Sequence, residues 1–144
     1  MSDLSLDPRD WLPHRPPFLL LDVMTRVEPG VAASGRWTLR GDEWFFAGHF
    51  PQMPVTPGVL LLESIAQCGA VAVLADPRYA GRLPLFGGIE RARFRRRVVP
   101  GDTVELECTM SRLSASGGRG AGRATVEGAL AAECELLFVL AERP

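Results

Sequence analysis

The sequence predicts an α+β domain in which an antiparallel sheet wraps one long, buried helix. Residues 58 to 75 (GVLLLESIAQCGAVAVLA) are apolar on nearly every side, which suits a helix enclosed by other elements rather than laid on a surface. Runs of apolar and β-branched residues flank that segment, and the Pro-Gly and Gly-Gly turns between them have hairpin length, which implies antiparallel pairing. The chain has 144 residues, of which 47% are hydrophobic and 23% charged. A chain this long buries roughly two-thirds of its unfolded surface without staples, so a single domain over residues 1–144 is expected.

In chain order, Asp7 and Pro8 cap and open one helical turn, and Pro13, Pro16 and Pro17 then forbid regular structure. Phe18 to Val27 (FLLLDVMTRV) reads as a strand, Pro29-Gly30 as a turn, and Val31 to Arg40 as the returning strand. Gly41 to Pro57 is too rich in Gly and Pro for a regular element, yet Trp44, Phe45, Phe46 and Phe50 make it an ordered loop packed on the body. Thr56 is placed to cap the long helix, with Pro57 at its first position and its end near Ala75, ahead of Asp76-Pro77. Strands follow at Leu85 to Arg97, Thr103 to Leu113, Arg119 to Glu127 and Ala129 to Ala141, with turns at Pro100-Gly101, Gly117-Gly118 and Gly128. There is no internal repeat.

Charge and cysteine usage exclude several classes. Sixteen basic against seventeen acidic side chains leave a net charge of −1, which removes the basic surplus that nucleic acid requires. All sixteen are Arg, a pattern that genome bias explains as readily as a demand for guanidinium groups. Cys68, Cys108 and Cys134 form no CxxC pair and read as core hydrophobes in a reducing compartment. Met1 to Asp10 is polar and acidic rather than signal-like, and Glu63, Ser64 and Gln67 interrupt the longest apolar run, so a cytoplasmic protein outside the membrane is expected. No metal-ligand spacing or phosphate-cradling glycine loop occurs, Gly87-Gly88 being too little, and no cofactor or metal is expected.

The residues able to do acid-base chemistry are few. His14 and His49 are the only histidines. His49 sits in the aromatic loop, where it is either a structural ring or a general base. His14 reads as structural, with no acid or nucleophile near it in sequence. Glu63 is a carboxylate on an apolar helix: either burial raises its pKa toward that of a general acid, or a buried Arg holds it ionised. The N–H groups of Gly58 and Val59, at the positive helix start, are available to a carbonyl oxygen that gains charge. Base, acid and oxyanion donor together fit proton abstraction beside a carbonyl with loss of a β-hydroxyl, although other acid-base reactions use the same parts.

The string FAGHFPQMPVTPGVLLLE (Phe46 to Glu63), with LPHRPPFLLLD (Leu12 to Asp22) upstream and GIERARFRRRVVPGD (Gly88 to Asp102) downstream, resembles the 3-hydroxyacyl-[acyl-carrier-protein] dehydratases of the FabZ type. The resemblance implies the hot-dog fold and assigns roles by position. His49 and Glu63 match the catalytic pair, Gly58 the glycine whose N–H binds the thioester carbonyl, and Gln67 a glutamine beside the carboxylate. It also implies a homodimer with the pair drawn from different subunits, alone or assembled as a trimer of dimers, acting on an acyl thioester of acyl carrier protein or CoA. Phe50, Leu85 and Phe86 then line an acyl tunnel or belong to the core. Arg91, Arg93, Arg95, Arg96 and Arg97 are either a docking face for an acidic carrier or a solvated strand face. On that strand Arg91, Arg93, Arg95 and Arg97 are expected to point together. Pro16, Thr56 and Pro84-Leu85 depart from the usual pattern and leave acyl length open. A hot-dog thioesterase and a non-catalytic acyl-binding partner subunit are the alternatives. The intact His49 and Glu63 motif speaks against both.

Overall fold

A computed structural model of the chain describes residues 4–143; Met1 to Asp3, the start of the polar opening stretch, lie outside it. Six strands form one antiparallel sheet: β1 (Val23–Glu28), β2 (Ala32–Thr38), β3 (Leu83–Phe94), β4 (Thr103–Ser114), β5 (Gly117–Val126) and β6 (Ala129–Ala141). Their spatial order is β1-β2-β4-β5-β6-β3, so β1 and β3 are the edges. One helix, α1 (Gly58–Leu74), packs on the inner face of the sheet. This is the layout expected from the sequence.

The helix and sheet meet where side chains are smallest. Ile65, Cys68, Val71 and Ala72 of α1 are fully buried against Leu106, Cys108, Ala124 and Ala132 of the sheet. A Cβ on Gly69 would lie 2.7 Å from Cys108 Sγ, and one on Gly122 would run into Ile65 Cγ2, so these glycines set how closely the layers approach. Gly30, Gly101 and Gly128 make their turns with φ of +75°, +96° and +80°, as the turn signals require.

Four of the differences from the sequence reading bear on the site or on the layers that carry it. The first strand begins at Val23, because the backbone of Phe18 to Leu20 is tied to a side chain of α1 instead of a neighbouring strand. Pro57 is the N-cap of α1, with extended ψ of 131°, and Thr56 does not cap; its Oγ1 is buried without a hydrogen-bond partner among the described residues. The turn between β4 and β5 falls at residues 115–116, so Gly117 and Gly118 open a strand. Finally, β3 ends at Phe94, leaving Arg95, Arg96 and Arg97 beyond it.

Candidate active site

His49 is held by its own loop. Its ring Nδ1 lies 2.8 Å from the Val55 carbonyl oxygen, and the Val55 N–H returns a 2.8 Å bond to the His49 carbonyl. A carbonyl only accepts, so Nδ1 carries the hydrogen, and in the neutral ring Nε2 keeps its lone pair as a base. Phe50 stacks on the imidazole at 4.3 Å and is half exposed. The ring faces a surface concavity shared with Gly58, Val59, Phe94 and Arg97. The helix start there has no side-chain cap, which leaves the Gly58 and Val59 N–H groups as first-turn donors. Gly58 has an additional reason to be glycine, since a Cβ would sit 2.7 Å from the Phe94 ring.

Glu63 stands five residues further along α1, at the head of a second and more enclosed cavity of about 220 Å³. Its Oε2 accepts a 2.9 Å hydrogen bond from Gln67 Nε2. Gln67 is itself fully held: Nε2 also donates to the Phe18 carbonyl at 2.9 Å, and Oε1 accepts from the Leu20 N–H at 2.8 Å. The strap that follows the three prolines thus orients the glutamine, and the glutamine orients the acid. Burial pushes the Glu63 carboxyl up, with the Gln67 hydrogen bond opposing it. No Arg reaches Glu63 among the described residues, so the ion-paired alternative is set aside.

His14, read from sequence as a structural residue remote from any acid, lies with Nε2 3.6 Å from Glu63 Oε2. Burial, then the neighbouring Arg15, pushes its imidazole down, so near neutral pH an uncharged ring faces the acid. Its distance from Glu63 in sequence hid it. The available signal was the pairing of a proline-fixed strap (LPHRPPF) with a buried polar anchor on α1.

Beyond Glu63 the cavity is apolar, running past Ala66, Ala70 and Val73 of α1 to Leu136 and Phe138. Leu85 and Phe86 line it, while Phe50 stacks on His49 and does not. In one chain, therefore, the predicted residues fall into two groups. His49, Gly58 and Val59 border one concavity; Glu63, Gln67, Leu85 and Phe86 border the other.

The arginine cluster does not form the single face that strand alternation predicts. Arg91 has φ of +52° within a register shift between Glu90 and Arg93, and the strand stops at Phe94. Arg91 pairs with Glu135 and Arg95 with Glu133, both on β6. Arg93, Arg96 and Arg97 have no carboxylate partner among the described residues, and Arg95, Arg96 and Arg97 rim the His49 concavity. All three cysteines are free and buried; burial lifts Cys68 well above the ordinary thiol range, Cys108 to about 12 and Cys134 to about 11, which suits core packing rather than chemistry. No group of three or more metal-ligating side chains gathers among the described residues, and no helix there is long and apolar enough to cross a membrane.

A family model described as a FabA-like domain matches residues 12–135. A protein of Moorella thermoacetica named 3-hydroxyacyl-[acyl-carrier-protein] dehydratase FabZ is 54% identical over 132 residues, covering 92% of each chain. A protein of the same name from Chloroflexus aggregans is 51% identical over 131 residues, covering 91% of each. Among solved structures, the dehydratase heterocomplex ApeI:P of Xenorhabdus doucetiae superposes with a TM-score of 0.81 over 97% of this chain and 94% of that one, at 18% identity, a likeness of fold.

Proposed function

This chain belongs to the FabA-like family, and from that membership we propose how its residues carry out the family's reaction. The protein is a hydro-lyase that dehydrates 3-hydroxyacyl-acyl-carrier-protein to the trans-2-enoyl thioester in fatty-acid biosynthesis. His49 Nε2 removes the α-proton while the Gly58 N–H, supported by Val59 at the helix start, stabilises the enolate-like oxygen. Glu63, kept toward its protonated form by burial and oriented by Gln67, protonates the departing β-hydroxyl, which leaves as water. The observation that carries this reading is a partly buried, Gln-held carboxyl that opens on an apolar cavity, a proton donor beside room for an acyl tail.

Because His49 and Glu63 open onto different concavities, the working site is composite, with each histidine meeting the carboxyl of a second copy. The edge strand β3 favours such pairing. It is twelve residues long, and its Leu85, Phe86, Ile89 and Phe94 are 43% to 53% exposed. The functional unit is thus a homodimer, in which two sites are completed together, and a trimer of dimers is its further assembly. Arg96 and Arg97 at the rim of the His49 concavity, together with Arg93 on β3, receive the acidic, phosphate-bearing carrier. The three reduced, buried cysteines suit the cytoplasm.

Incubation with a 3-hydroxyacyl thioester of acyl carrier protein tests the reading. Enoyl absorbance is expected to rise with no release of free thiol. Thiol without enoyl would mean hydrolysis and overturn it.

A further inference from the structure

Behind Glu63 the cavity is shaped by residues that the proton transfers do not use. On β5, Gly118, Gly120 and Gly122 alternate, and the inward Gly122 places this face toward α1. Gly120 pairs with Met110 on β4 and with Leu136 on β6, and all three line the cavity. The missing side chain at 120 is occupied from the neighbouring strand: a Cβ there would lie 2.8 Å from Met110 Cε, and a Cβ on Gly69 of α1 would lie 3.2 Å from the same atom. One methyl group therefore reaches across the cavity, touching glycine on the helix and glycine on the sheet.

Met110 also stands between the molecule's two apolar clusters. It packs on the main core around α1 and on the small cluster of Val73, Tyr79 and Leu140. The cavity has a polar part, with His14, Glu63 and Gln67, and an apolar part that includes Val73, Met110 and Phe138, where these clusters meet. A methionine is unbranched, with three side-chain torsions beyond the backbone, and adapts its shape where a branched residue cannot. Set between two glycines, its thioether meets no β-carbon on either side.

We propose that Met110 is the adjustable end-stop of the acyl cavity, its Sδ and Cε filling the space between Gly69 and Gly120 and so setting how long an acyl chain the enzyme accepts. This assignment rests on the dehydratase reading. A chain that ends short of the seam leaves Met110 in place, whereas a longer tail must displace the thioether and forfeit its contacts with both clusters.

The test compares kcat/KM for 3-hydroxybutyryl and 3-hydroxypalmitoyl thioesters of acyl carrier protein in the unaltered enzyme, in Met110→Ala and in Met110→Val. The valine variant removes the same far end while suiting a strand, and so covers the case in which the alanine variant fails to fold. The long-to-short ratio is expected to rise about tenfold or more in the variants, the discrimination that a methylene or two supplies in an apolar pocket. A ratio unchanged in a variant that melts cooperatively, or one moved toward the short substrate, overturns the assignment. Turnover of the short thioester by the unaltered enzyme reports on the dehydratase reading separately, so a flat ratio counts against Met110 alone.

Discussion

The role proposed for Glu63 depends on its standing in the wrong place for a carboxylate, and that placement has a cost that can be measured. Burial raises its pKa, so the folded state is favoured while the group is protonated. That advantage is complete below the unfolded-state value and is lost as pH rises through the raised folded-state value. Glu63→Gln keeps the shape and removes the ionisation. Thermal melts at pH 5 and pH 9 are expected to show the variant gaining on the parent at the higher pH, while kcat for dehydration falls by about 10² to 10⁴. Equal melting differences at both pH values would mean that Glu63 titrates as it does in the unfolded chain. The acid itself was legible in sequence, because a charge on an otherwise apolar helix demands an explanation. Its partners were only half legible. Gln67 came from the resemblance, and His14 needed the fold, since the contact spans 49 positions that no local pattern connects.

At the scale of elements, the long helix and the six strands followed from periodicity and turn chemistry, while their ends followed from tertiary bonds that periodicity does not encode. The backbone of Phe18 to Leu20 is extended and apolar enough to read as strand, yet Gln67 takes its hydrogen bonds. The arginine run alternates in sequence, but the left-handed Arg91 and the register shift after Glu90 break the alternation in space. Gly117 and Gly118 read as a turn signal, whereas in the sheet they open β5, whose Gly122 packs against Ile65 of α1. Gly122→Ala tests that role. Its Cβ would meet Ile65 Cγ2 and lie 2.8 Å from the Glu107 carbonyl oxygen, backbone that cannot swing aside. Urea unfolding is expected to show a loss of about 1–3 kcal/mol, the cost of overpacking a filled core. Unchanged stability would mean that helix and sheet are not held at this distance.

For the molecule as a whole, His49 and Glu63 border different concavities of one chain, which is the ground for the proposed composite site. The apolar edge strand β3 and the arginines at the rim of the His49 concavity are the surfaces that the proposed dimer and carrier docking would use. Dimerisation entered the sequence reading through resemblance alone, because composition carries no trace of which surface a second copy covers. The most direct measurement mixes inactive partners: His49→Ala and Glu63→Gln chains, co-expressed with different tags and purified as verified heterodimers. Each variant alone is expected to be inactive as a homodimer. If each site takes its base from one chain and its acid from the other, one of the two sites in the heterodimer is intact, and about half the unaltered activity per dimer returns. Activity at the level of the separate variants would contradict the account and place both residues of each site within one chain.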